Sequence, residues 1–189
     1  PPGPGPAPTG LAKLYGKVTL NYKFNSSTNI YKDSFSFSSA NYNSASNFLV
    51  GSVDGGVEPV ICSVLNEVGY EFLCGIGNFN GSRDYFIFNV NSAGVISGKY
   101  EYCLASNTDS QCATQITLNP DGTVTGNVVA AARSTANLMD SGAAATKAPE
   151  SKEQIKVLQL QQEAKEPSTA SATSEQLDAV REALERLAQ

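Results

Sequence analysis

The chain contains no histidine, no tryptophan and a single methionine among 189 residues. Without histidine there can be no serine–histidine triad, no papain-type pair and no histidine-bearing zinc site. Only 16% of residues are charged, and 13 Lys and Arg face 18 Asp and Glu, for a net charge of -5. The basic residues form no stripe, which argues against nucleic acid and against an anionic membrane surface as partner. No apolar run approaches the ~20 residues of a spanning helix. A GxxxxGK[ST] loop is missing, and Gly75-Ile76-Gly77 is only a fragment of a dinucleotide fingerprint. Neither an initiator Met nor a signal peptide opens the numbered chain, which therefore reads as a mature or trimmed product. No cofactor and no metal is expected.

Cysteine is present as an even set: Cys62, Cys74, Cys103 and Cys112. Their spacing matches no zinc motif, so two disulfides and an oxidising, extracytoplasmic compartment (periplasm, cell surface or secreted) are the reading. Cys62 and Cys74 lie symmetrically about the turn at 66–69 and share parity with apolar neighbours. That predicts facing, non-hydrogen-bonded positions on adjacent strands. Cys103 falls on the outward parity with Lys99 and Glu101, whereas Cys112 shares parity with Ile116 and Leu118. A regular hairpin cannot serve both, so a bulge or irregular loop is expected across LASNTDSQ.

From Leu14 to about Ala130 the hydrophobic period is two. In KVTLNYKF, Val18, Leu20, Tyr22 and Phe24 alternate with polar residues; YKDSFSFSS behaves alike, and in DYFIFNV, Phe86, Phe88 and Val90 share a face. NFLVGSV, VEPVICSVL, YEFLCGI, AGVISGKYEY, ATQITL and TVTGNVVA complete eight or nine expected strands. The fold class is mainly β: an antiparallel meander closing into a small barrel or sandwich of about eight strands, with C-terminal α-helices.

One phrase occurs twice, as VNSAGVISG and LNPDGTVTG. In each, an Asn-led turn ends on Gly94 or Gly122, expected in the left-handed conformation of a bulged hairpin. Gly98 or Gly126 then follows on the inward parity, where a missing side chain permits a sharp bend or a close backbone approach.

Outside this region the composition shifts. Residues 1–10 (PPGPGPAPTG) read as a polyproline-type tether, 11–131 as the stapled β domain, 132–150 as an Ala/Ser-rich linker and 151–189 as a helical tail. Such a tether commonly follows the lipidated cysteine of bacterial lipoproteins, so an N-terminal lipid anchor is the one membrane attachment the pattern allows. Capping-box spacing at Ser151/Gln154 and Thr173/Gln176 opens helices over 152–166 and 174–188. In the second, Leu177, Val180, Leu184 and Leu187 form a docking stripe. It must be covered by this chain's sheet or by another subunit, and the preceding linker favours another subunit.

Candidate chemistry is sparse. Inward aromatics Tyr70, Phe72, Phe86, Phe88, Tyr100 and Tyr102 either form the core or face a small apolar ligand. The acids Asp33, Asp54, Glu58, Glu71, Asp84, Glu101, Asp109 and Asp121 could supply a glycosidase-like pair, though Glu58, Glu71 and Glu101 fall outward or beside proline. Asp54, Asp109 or Asp121 could hold calcium, but no ordered ligand series accompanies them. Asn25-Ser26-Ser27 and Asn80-Gly81-Ser82 fit the glycosylation sequon. The expectation is a non-enzymatic cell-envelope or extracellular protein acting in binding or assembly, through a protein partner or self-association by the tail helix. The alternatives are a small-molecule-binding barrel and an acid-pair hydrolase.

Overall fold

A computed structural model describes residues 9–23, 29–66, 70–119, 121–130 and 171–188. Nine strands run through it: β1 (Gly16–Lys23), β2 (Ile30–Phe37), β3 (Tyr42–Asn43), β4 (Phe48–Ser52), β5 (Pro59–Asn66), β6 (Glu71–Gly77), β7 (Arg83–Val90), β8 (Val95–Cys103) and β9 (Thr123–Val129). They form one sheet in the order β2-β1-β9-β8-β7-β6-β5-β4-β3, every pairing antiparallel. The helices are α1 (Thr9–Ala12), α2 (Asp109–Leu118) and α3 (Ser174–Leu187).

The sheet curls into a half-barrel. Its edges meet where Phe35 of β2 bridges Val53, just past β4, and where the Asp54 amide donates to the Ser34 carbonyl at 2.7 Å. Inward residues of alternating strands fill the interior, with Val18, Leu20, Phe35, Leu49, Phe72, Phe86 and Phe88 fully buried. Leu11 and Leu14 cap it from α1 and its exit, so α1 takes in Thr9 and Gly10 of the expected tether. The rest of that tether, the linker 132–150 and the helix 152–166 lie outside the described residues.

A second apolar layer covers the convex face. Ile61, Leu73, Tyr85 and Ile87, on the outward parity of β5 to β7, are buried beneath α2 and α3 together with Leu177, Val180 and Leu184. All eight residues of β7 are consequently buried. Burying each such large apolar side chain contributes ~1.5–3 kcal/mol, so α3 is an integral layer of the fold. The predicted stripe is seated on this chain's own sheet, except Leu187, which stays exposed.

Both cysteine pairs are joined. Cys62 faces Cys74 across β5 and β6 inside the half-barrel, with Cα atoms 4.1 Å apart, as their parity implies. Cys103 ends β8 on the convex face and reaches Cys112, with Cα atoms 5.8 Å apart. The connection is not a bulged hairpin, and ATQITL is not a strand. It lies in α2, because Thr108 and Gln111 close a reciprocal capping box and put Cys112 and Ile116 one helical turn apart on the buried side. LNPDGTVTG therefore joins a helix to β9 rather than two strands.

Gly94 is left-handed (φ 82°), as expected of its hairpin, but Gly122 is not among the described glycines of positive φ. Gly122 is needed for proximity instead: a Cβ there would sit 2.1 Å from the Tyr100 carbonyl oxygen. Gly126 marks the tightest approach, since its Cβ would fall 1.8 Å from the Thr19 carbonyl oxygen of β1. β9 thereby slots between β8 and β1 and draws the two ends of the β domain together.

Candidate functional site

Strand direction sorts the connections into two ends. At the upper end lie Lys23, Ile30, Ser52, Pro59, Gly77, Arg83 and Cys103, with the loops at 53–58, 78–82 and 104–108. The lower end carries 38–47 and 91–94. The upper end holds most of the exposed large apolar side chains among the described residues.

Inside its mouth, two tyrosine–carboxylate pairs meet. The Tyr22 hydroxyl donates to Asp33 Oδ2 at 2.6 Å, and the Tyr100 hydroxyl donates to Asp84 Oδ1. The two rings lie 4.5 Å apart, and Phe86 packs on both. Asn78 Nδ2 donates to the other Asp84 oxygen at 2.9 Å. Burial pushes the Asp84 carboxyl above its ordinary range, and burial with the carboxylate contact pushes Tyr22 and Tyr100 up. The sequence pattern named both acids and placed Tyr22 and Tyr100 inward, but did not pair them. The inward parity of Tyr22, Asp33, Asp84 and Tyr100 is the signal that joins them.

This pair does not form an open acid–base site. Asp84 is 8% exposed, and its two oxygens are occupied by Tyr100 and Asn78. Among the described residues, no three His, Cys, Asp or Glu side chains group to hold a metal ion.

The six candidate aromatics do not gather round one pocket. Phe72, Phe86, Phe88 and Tyr100 are fully buried core, with ring centroids 5.1 Å apart for Phe86–Tyr100 and 5.9 Å for Phe72–Phe88. Tyr102 packs half-buried on the same core and shares with Tyr100 the lining of a 270 Å³ cleft, beside Glu101, Asn107, Gln115 and Asn119. Tyr70 is exposed at the lower end, with the Lys13 ammonium 5.2 Å above its ring.

Several apolar side chains are exposed around the mouth. Val57 and Phe79 are 73% and 83% exposed, and Ile30, Tyr31, Leu104 and Leu187 also lie open. Of these, Val57, Phe79 and Leu187 line a 440 Å³ groove with Pro59 and Leu184. Tyr31 stacks on Tyr22, with centroids 5.9 Å apart, linking rim to interior. The loops that carry Val57 and Phe79 are internally fixed. The Val53 amide donates to the Glu58 carbonyl at 2.9 Å, and the Asn78 amide to the Ser82 carbonyl at 3.0 Å. Asn80 Oδ1 accepts from the Ser82 amide and hydroxyl, and Gly81 takes the left-handed turn at φ 85°. Phe79 is thus held outward by its own turn. The sequence pattern did not single it out; the signal is an aromatic residue written into turn chemistry, Asn78-Phe79-Asn80-Gly81.

Beneath the rim, an ionic clasp locks the helices. Arg83 donates to the carbonyls of Gly81 and Leu104 and to both sulfurs of Cys103 and Cys112, and its guanidinium lies 3.8 Å from Asp109. Asp109 accepts from Arg181 Nε at 3.0 Å, and Arg181 also pairs with Asp178 and Glu185. Burial raises the Asp109 carboxyl, whereas its contact with Asp109 and then Arg181 lowers that of Asp178.

No family model, no curated protein and no solved structure matches this chain. The two disulfide-bonded pairs are consistent with an extracytoplasmic location.

Proposed function

We propose that this is an exported, non-enzymatic protein of the cell envelope or extracellular space, and that its upper end binds a protein partner. One observation carries the reading: Ile30, Tyr31, Val57, Phe79, Leu104 and Leu187, drawn from separate parts of the chain, are exposed at the same end. Contiguous exposed apolar surface marks interaction sites, and rigid presentation lowers the entropy cost of binding. Phe79 and Val57 are the natural anchors, since a few central side chains carry most of an interface's energy.

Two features disfavour the alternatives. Phe72, Phe86 and Phe88 pack in the core, and of the candidate aromatics only Tyr100 and Tyr102 border a cleft among the described residues, which speaks against a chamber lined by the whole set. Asp33 and Asp84 are each engaged by a tyrosine hydroxyl, which speaks against the hydrolase reading at this pair.

The test is the double variant Val57→Asp/Phe79→Asp. Both sites are open, so its melting temperature should match wild type, each surface change costing within about 0.5 kcal/mol. Retention of the partner recovered by cross-linking from the native compartment should fall at least tenfold. Full retention by a folded variant rejects the site.

A further inference from the structure

Apart from the upper end, the convex face is shaped as a seat for one helix. Gly75 and Gly77 leave its floor bare: a Cβ on Gly75 would lie 2.8 Å from Val180 Cγ1, and one on Gly77 would lie 3.6 Å from Leu184 Cβ. Ile61, Leu73, Tyr85 and Ile87 are 0–1% exposed in the same layer. Polar contacts set the register. Tyr85 Oη donates to the Leu177 carbonyl at 3.4 Å, and Arg181 reaches across to Asp109 of α2.

The occupant is a separable unit. α3 is opened by its own reciprocal capping box, in which the Gln176 amide donates to Thr173 Oγ1 and the Thr173 amide to Gln176 Oε1. It is joined to β9 through residues 131–170, forty in all. Their contour is roughly 130 Å. A joint of that reach does not dictate which copy's seat the helix fills; it sets only an effective concentration, on the order of millimolar or below.

We propose that the seat also accepts α3 of a second copy in the same register, so that chains associate by reciprocal exchange of this helix into a two-fold dimer. The exchanged form rebuilds between copies the same helix-on-sheet interface that the closed form makes within one chain, so exchange is a low-cost route to a dimer. The closed monomer dominates dilute solution, and exchange grows where chains are crowded together. The same complementarity answers the question the stripe poses in the sequence: own sheet and partner sheet are one surface.

Shortening the joint tests this. Val129 lies six residues along β9 from Thr123, which pairs with Lys99, and Lys99 Nζ donates to the Thr117 carbonyl of α2 beside Ala172. The span a closed chain must cover is therefore about 20 Å. Deleting residues 131–170 leaves only Ala130 and Ser171 between Val129 and Ala172, three steps that reach roughly 11 Å. The shortened chain should double its mass by light scattering at micromolar concentration. Adding Val180→Asp should return it to monomer. A folded, monomeric shortened chain overturns the proposal. Should that chain fail to fold, intact tagged and untagged chains decide the matter: mixed and covalently cross-linked at millimolar concentration before dilution, they should co-purify, and separate recovery overturns exchange.

Discussion

Asp84 is a carboxylate placed where water scarcely reaches, held by Tyr100 and Asn78. Burial raises its pKa, so ionising it costs more in the folded chain than in the unfolded one. Its contribution to stability is complete below about pH 4, the unfolded value, and is lost as pH rises through the raised folded value. Asp84→Asn should therefore flatten the pH dependence: from about pH 4 to pH 7 its urea midpoint should fall less than that of wild type. Glu101 and Asp109, also raised by burial, remain in both proteins, so the difference isolates Asp84. Equal slopes contradict the assignment. Gly75 offers a steric counterpart. Valine suits a strand, so Gly75→Val is penalised by α3 above it and by Tyr85, whose Cε1 would lie 3.2 Å from the new Cβ, at ~1–3 kcal/mol. A lower melting temperature with faster trypsin cleavage after Arg181 is expected; an unchanged melt means α3 does not rest there. Neither residue's role could be read from the chain alone, because parity places Asp84 inward without naming Tyr100, and a glycine does not announce the helix that crosses it.

Individual elements owe their positions to two staples of different kinds. Cys62–Cys74 joins adjacent strands, 12 positions apart, that are already paired; Cys103–Cys112, 9 positions apart, ties a short helix to the end of a strand. Each closes a loop worth ~2–3 kcal/mol in the chain-entropy model. Their local consequences should differ. Cys103→Ala/Cys112→Ala should strip hydrogen-exchange protection from α2, while β5 to β7 keep theirs. Uniform loss across the sheet contradicts this division. Strands were legible because apolar and polar side chains alternate over Val18–Tyr22 and Phe35–Phe37. α2 was not, because Ala-Thr-Gln-Ile-Thr-Leu alternates as well as any strand. The capping box in Thr108–Gln111 outranks that alternation, since it satisfies helix-end amides that a strand start would leave to other partners. Cover over the convex face also had a signature: Ile61, Leu73, Tyr85 and Ile87 are apolar on the parity expected to face water.

At the scale of the whole molecule, α3 and α2 close the convex face, the aromatics close the interior, and one end is left apolar and open. That asymmetry was not legible, because it depends on which loops the antiparallel order sends upward. Val57, Phe79 and Leu104 are far apart in sequence, and each alone is unremarked exposed apolar surface. That end is where we propose that a partner protein docks. The most direct measurement is site-specific photo-cross-linking in the native compartment, with the reactive residue placed at position 79 and, separately, at position 92 in the lower-end turn. Discrete protein adducts from 79 and none from 92 are predicted. Adducts from 92 alone, or equal patterns from both ends, would contradict it.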